Sequence, residues 1–277
     1  MIRRKQRVDA RPQEGKGPFV IAGYQAVKEA LVQNLLRIEE VWTASGRGSL
    51  RDKEIQALSR ERRIPVLTRQ MADIERALSD VNHQGFAAFL REFRYAELED
   101  IAGKEAGELG RRIIIAVDHI TDEGNLGAII RTAAFFGAQG LIIPKDRSAS
   151  VTPLVFRRSS GGCVYLPVAM VVNLERSLNY LKDEGFWIIG AAGEAATSIY
   201  DFDWDRDIVL VLGNEEKGLT QAVRKRCDAL VSIPVRGRVS SLNVSVAAGI
   251  LLSHLQGRPL HLQIRVSPIL PIKPLLK

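Results

Sequence analysis

Apolar positions along the chain follow two regimes. From Phe19 to Phe93 the period changes repeatedly. After Gly23, residues Ala26, Val27, Ala30 and Leu31 share one helical face, and Ile38 to Thr43 alternates as a strand does. Arg51 to Arg63 has the spacing of a charged amphipathic helix, and Ile64–Leu67 and Gly85–Phe93 add strands on either side of a short helix over Met71–Leu78. Residues 18–94 therefore read as a small α/β domain. Beyond it the runs become continuously apolar, predicting strands at Ile113–Val117, Leu141–Ile143, Tyr165–Val168, Trp187–Ala191, Ile208–Leu212 and Leu230–Ile233. Helical spacing over Leu126–Phe136 and Leu174–Glu184 falls between them. A strand apolar at every position is covered on both faces, so this alternation predicts a mostly parallel sheet flanked by helices. Nothing in the local pattern predicts a knot, and chain connections overwhelmingly avoid one.

Between the two regimes, residues 95–112 carry three glycines and scattered charge, the composition of a linker with room for a helical turn. Residues 1–17 are basic with glycine and proline, and read as a flexible arm. Residues 258–277 hold four prolines, four basic residues and no acid, and read as an extended tail. The second domain is thus expected over 113–257.

With 277 residues, 46% of them hydrophobic, the chain has the means for two ordinary cores, which excludes wholesale disorder. A net charge of +7 favours a polyanionic partner such as RNA. Cys163 and Cys227 lie far apart without neighbouring histidine, so neither a metal site nor a disulfide framework is expected. No secretory leader or membrane-length apolar run is visible, and the expected compartment is the cytoplasm, with no membrane partner.

Three strand ends concentrate the polar chemistry. Ile233 to Ile250 passes from an apolar strand through Pro234 and the basic turn Arg236-Gly237-Arg238 into Ser241-Leu242-Asn243 and an alanine-rich helix expected over Ser241–Leu255. Such a loop-to-helix junction points backbone N–H groups at a polar ligand. Asp118 to Ala133 follows the first long strand and carries Asn125 and Arg131. Val209 to Leu219 runs from a strand into a glycine-flanked acidic loop containing Glu215. A fourth stretch, Ser45-Gly46-Arg47-Gly48-Ser49-Leu50-Arg51, starts like a dinucleotide fingerprint but has Arg51 where the third glycine belongs. It reads instead as a loop offering Arg47 and Arg51 to phosphates.

Taken in chain order, each at a strand end, the three segments resemble the first, second and third motifs of the SpoU branch of SPOUT RNA methyltransferases, over roughly 113–256. Gly23 to Leu31 and His83 to Ala88 look like the start and end of that family's substrate-binding domain. The resemblance implies transfer of a methyl group from S-adenosylmethionine to a ribose 2′-hydroxyl of RNA. It implies a SPOUT α/β domain with a deep trefoil knot near the C-terminus, pairing as a homodimer, preceded by a small α/β RNA-binding domain. By matching motif positions, Gly193, Leu212, Gly213, Ile233 and Leu242 would hold the cofactor. Arg131, Asn125, Glu215, Ser241 and Asn243 would serve the chemistry. Arginine stays protonated, so Arg131 suits a clamp on phosphate and on the developing alkoxide better than a base. Ser241 suits a helix N-cap equally well. Arg236 and Arg238 would touch phosphate. The two-domain layout is most similar to members that methylate a guanosine of large-subunit ribosomal RNA. A tRNA 2′-O-methyltransferase and a noncatalytic ribosome-assembly factor are the alternatives.

Overall fold

The computed structural model describes residues 19–33, 36–45, 48–78, 82–106, 110–239 and 241–255. The basic arm, the proline-rich tail and Arg47 lie outside the described residues. The first domain runs β1 (Phe19–Ala22), α1 (Tyr24–Gln33), β2 (Ile38–Ala44), α2 (Leu50–Glu61), β3 (Val66–Arg69), α3 (Met71–Ala77) and β4 (Phe86–Leu90). Its sheet has the order β1-β4-β2-β3, with β4 antiparallel to both neighbours and β2 parallel to β3. Gly23, at φ +94°, makes the turn from β1 into α1 that a side chain would resist. Before α2, Ser49 forms a capping box: its backbone N–H donates to Asp52 Oδ2 at 2.8 Å, and Asp52 N donates to Ser49 Oγ at 3.3 Å. The end of that glycine-containing stretch is therefore spent on helix initiation.

A connecting helix, α4 (Leu98–Ala102), precedes the second domain. There follow β5 (Ile113–Asp118), α5 (Glu123–Phe135), β6 (Gly140–Pro144), α6 (Pro153–Arg158), α7 (Gly162–Tyr165), β7 (Val168–Val171), α8 (Leu174–Asp183) and β8 (Trp187–Ala191). β9 (Thr197–Ser198), β10 (Ile208–Gly213), α9 (Gln221–Arg224), β11 (Ala229–Ser232) and α10 (Val244–Leu255) complete it. The sheet order is β7-β6-β5-β10-β8-β11-β9 and every pairing is parallel. β5 is buried at all its positions, as continuous apolar strands covered on both faces must be.

Two expectations are corrected, and one strand, β1, is not expected from the sequence. Tyr165–Val168 is not one strand: Gly162–Tyr165 forms a helical turn and the strand begins at Val168. A Cβ on Gly162 would stand 3.0 Å from the Arg131 Cα, so α7 packs its backbone directly on α5 and buries Cys163 and Val164 by helical contact. The short strand β1 pairs only with β4 and has too few residues to declare a period. The last helix starts at Val244 rather than Ser241.

The linker composition also hides a strut. Ile101 is 1% exposed and occupies the space beside Gly140, where a Cβ would lie 2.5 Å from the Ile101 side chain. Ala96 N donates to Val168 O at 2.8 Å, and Tyr95 Oη accepts from Val151 N at 2.9 Å. Arg112 closes the connector, its Nε donating to Asp207 Oδ2 at 2.7 Å and its Nη1 to Ala102 O at 2.9 Å. At the domain junction, Phe19, Phe93 and Phe156 stack pairwise with centroids 5.8–6.4 Å apart. One continuous apolar core runs from Ile21 in the first sheet to Leu255 in the last helix.

Ile101→Ala should lower unfolding free energy by about 2–5 kcal/mol, the usual cost of truncating a buried aliphatic side chain. Urea unfolding followed by fluorescence checks this, and a change below about 0.5 kcal/mol would show that the connector carries no packing load.

Candidate functional site

A cleft of about 590 Å³ opens where β8, β10 and β11 end. In open α/β sheets, ligands sit outside the carboxyl ends of the strands, where the strand order reverses direction. Gly193 and Glu194 follow β8 into the wall, Leu212 and Gly213 end β10 with Asn214 to Leu219 after them, and Ile233 to Val239 follow β11. Ser241, Leu242, Val244, Ala247 and Leu251 close the remaining side.

The loop after β10 is tightly folded. A Cβ on Gly213 would stand 2.3 Å from Gly218 C and 2.5 Å from Leu219 N, so only glycine lets the chain return so near its own strand. Asn214 N donates to Gly218 O at 3.0 Å and Gly218 N to Asn214 O at 2.8 Å, closing the loop. The Asn214 side chain organises the interior: Oδ1 accepts from Glu216 N at 3.0 Å, and Nδ2 donates to His119 O at 3.0 Å. Beneath it the fully buried Asp118 accepts from Thr220 N at 2.6 Å and lies 2.6 Å from His119 Nδ1. This stack leaves Glu215 facing the cleft.

Three segments distant in sequence meet at Glu215. Asp122 caps α5 by accepting from Asn125 N at 2.7 Å, which fixes Asn125 on the first turn. Asn125 Nδ2 donates to Glu215 Oε1, 90 residues away. Asn243 Nδ2 donates to Asn125 Oδ1 at 2.8 Å, across 118 residues. Asn243 Oδ1 in turn accepts from Ser245 N at 2.9 Å and from its hydroxyl at 2.6 Å. Asn243, not Ser241, is therefore the cap of α10. Both ends of the Asn125 amide are held, which orients it without any rearrangement.

The other expected residues divide between places. Gly193, Leu212, Gly213, Ile233 and Leu242 all line the cleft, as do Ser241, Arg236 and Arg238. Leu212 is buried while Leu242 is half exposed. Gly213 is needed for its own loop rather than for room beside a ligand. Arg131 does not line this cleft. Six residues beyond Asn125 at 100° each, it points about 120° around α5 from it. It lines a second cleft, and its Nη1 donates to Ser160 Oγ at 3.3 Å. Arg51 lies on α2 with its guanidinium 4.9 Å from the centre of the Tyr24 ring.

Sequence reasoning missed Asp118, Asn214 and the Arg224–Glu194 ion pair on the cleft wall. The guanidinium of Arg224 holds the Glu194 carboxyl below the ordinary range. An acid ending a wholly apolar strand was the available signal for Asp118. Burial pushes the Cys163 thiol up to about 12 and that of Cys227 to about 11, so neither ionises near neutrality. Among the described residues no group of three or more histidine, cysteine or acidic side chains is placed to hold a metal, and no helix is long and apolar enough to cross a membrane.

Residues 112–253 match the SpoU rRNA Methylase family, and residues 20–96 match a domain described as RNA 2′-O ribose methyltransferase substrate binding. The chain is 38% identical over 236 residues to the 23S rRNA (guanosine-2′-O-)-methyltransferase RlmB of Pseudomonas putida, covering 84% of this chain and 93% of that one. Against RlmB of Xanthomonas axonopodis it is 37% identical over 232 residues, with the same shares covered. Among solved structures, the AdoMet-bound rRNA methyltransferase from Sinorhizobium meliloti aligns with a TM-score of 0.72 at 26% identity, over 86% of this chain and 87% of that one. The SpoU methyltransferase AviRb from Streptomyces viridochromogenes aligns with a TM-score of 0.70 at 26% identity, over 87% and 89%.

Gly213→Ala should force the Gly218–Leu219 backbone away and cost about 1–3 kcal/mol, as overpacking does. Thermal unfolding measures the loss, and a wild-type midpoint would mean that the loop yields freely.

Proposed function

Because the chain belongs to the SpoU rRNA methylase family, we propose that it transfers a methyl group from S-adenosylmethionine to the ribose 2′-hydroxyl of a guanosine in 23S ribosomal RNA. The observation that carries this reading is the hydrogen-bonded series Asn243–Asn125–Glu215 beside the cleft at the strand ends. A binding protein has no need for three separate segments to converge on one carboxylate.

The cleft suits the cofactor. Leu212, Ile233, Leu242 and Leu251 offer aliphatic walls for a purine, with main-chain groups between them to read its edge. A Cβ on Gly193 would meet nothing within 4 Å, so the wall is open there. Gly193, Leu212, Gly213, Ile233 and Leu242 are the proposed holding set. Bound there, the cofactor supplies an electrophilic methyl group. The protein's share is to orient the ribose oxygen and stabilise the charge that develops on it. Glu215 and Asn125, already fixed to one another, hold the nucleotide without reorganisation, and Asn243 keeps Asn125 in register. Ser241, at the cleft edge, adds a hydroxyl contact. Arg131 contributes a permanent planar cation for the phosphate and the 2′-oxygen.

Since Arg131 faces away from the Glu215 cleft, the reading includes a homodimer in which a second copy brings its Arg131 to this site. A two-helix face supports it. Phe135 on α5 is 73% exposed and Val246 on α10 is 51% exposed, and the helices touch where the space beside Gly249 meets Thr132 Cγ2 at 3.8 Å. Arg131 borders that face. The reading also includes the family's trefoil knot, which is consistent with β10 entering between β5 and β8 while β11 follows on the far side of β8. Residues 18–94 are the proposed RNA-binding domain, with Arg51, and with Arg236 and Arg238 at the cleft, as phosphate contacts. The cytoplasm, where ribosomal RNA is found, is the proposed compartment.

Mapping ribose methylation in cells with and without the chain should reveal one guanosine of 23S ribosomal RNA that loses its mark. A mark lost from tRNA alone would overturn the substrate, and no lost mark would overturn the activity. Arg131→Ala should slow single-turnover methylation on the order of 100- to 1000-fold at saturating cofactor and RNA, and Arg131→Lys should recover only part of this. Calorimetry should give both variants wild-type cofactor affinity. A near-normal rate in the folded alanine variant would remove Arg131 from the chemistry. Phe135→Glu combined with Val246→Glu should turn a dimer into a monomer by light scattering, and a wild-type chain that is monomeric at micromolar concentration would end the dimer reading.

A further inference from the structure

The second cleft has its own chemistry. It measures about 760 Å³ and lies between β1 and α1 of the first domain and α5, α6 and the Ser160-Gly161 turn of the second. Arg131, Arg157 and Arg158 line it from one side, and Asn82 and Ala22 from the other. Among the described residues no carboxylate lines it. Among the described residues none of these three arginines has an ion-pair partner, and Arg131 donates only to the Ser160 hydroxyl.

These cations stand on closely packed backbone. A Cβ on Gly127 would lie 2.5 Å from Arg158 Cβ, so α6 presses against α5. A Cβ on Gly162 would lie 3.0 Å from Arg131 Cα, so α7 does the same one turn further along. Between them the Ser160-Gly161 turn takes positive φ at both residues, +48° and +90°, which brings the Ser160 hydroxyl to Arg131. Three guanidinium stems so placed cannot spread apart at their bases. Gathering like charges without counter-charge costs stability, and an anion in the groove relieves it.

We infer that this interdomain groove is the track for the RNA strand, and that Arg157 and Arg158 are phosphate contacts acting beside Arg131. The inference rests on the proposed RNA methyltransferase reading and extends it, since neither arginine belongs to the cofactor cleft. The groove is walled by both domains, so a strand lying in it touches the two at once. The occupant is a single strand: specific RNA recognition mainly targets unpaired loops, whose backbone follows a basic groove. Arg157-Arg158-Ser159-Ser160-Gly161-Gly162 is therefore a functional segment that the strand-end motifs do not include.

The test compares Arg157→Gln/Arg158→Gln with a control pair, Lys225→Gln/Arg226→Gln, exposed on the opposite arm of the sheet and equal in charge removed. The probe is an unmodified transcript of 23S ribosomal RNA. For the groove pair, the RNA Kd and KM should rise on the order of tenfold to a hundredfold, with kcat falling far less. The slope of log binding constant against log salt should become shallower by about 1.4, because each single-strand phosphate contact contributes about 0.7. Calorimetry of cofactor binding serves as the folding control. An unchanged Kd and slope, or the same loss in the control pair, overturns the groove. If the wild-type chain binds the transcript but methylates neither it nor any cellular RNA, the methyltransferase reading fails while the binding comparison still decides the groove.

Discussion

Strand β10 lies between β5 and β8, paired in parallel along both edges, with Ile208 to Leu212 sealed from solvent. A strand held on two sides has no freedom to slide, and a slip of one residue would turn every side chain to the wrong face. That constraint delivers Gly213 to one point at the end of the sheet. From there the backbone doubles back so closely that no side chain fits, and Asn214 locks the return. The position of Glu215, and through it those of Asn125 and Asn243, descends from the registry of one buried strand.

Helix α5 then does two things at once. Leu126, Ile129, Ile130 and Ala133 bury one side in the core. Asn125, at its first turn, reaches Glu215 beside the strand-end cleft, while Arg131, about 9 Å further along the axis at 1.5 Å per residue, faces the interdomain groove. A single rigid rod thus carries groups for two clefts, and the glycines at 127 and 162 let α6 and α7 grip it from outside. The same rod explains why Arg131 does not reach Glu215 within one chain.

Much of the fold was legible because buried parallel strands advertise themselves by unbroken apolar runs, as in Ile113–Val117 and Ile208–Leu212. The strand-end motifs were legible too, and Gly193, Leu212, Gly213, Ile233 and Leu242 do share one cleft. What escaped was what depends on a partner rather than on a period. Tyr165 to Val168 looks like one strand until α5 beneath Gly162 holds Gly162–Tyr165 as a helical turn. Ile101 looks like an isolated apolar residue in an acidic linker until Gly140 leaves it a socket. Ser241 reads as the cap of the last helix, and only the bonds to Ser245 show that Asn243 takes that place. Arg131 and Asn125 are neighbours in a motif, yet the turn of a helix sends them to opposite clefts.

The strut formed by α4, together with the Phe19–Phe93–Phe156 cluster, joins two domains through one continuous core. Hinged domains search for a substrate by swinging; joined ones do not. The distance from the first sheet to the strand-end cleft becomes a built-in gauge, and any ligand that spans the two must match it. Such a gauge discriminates by span, much as calipers do.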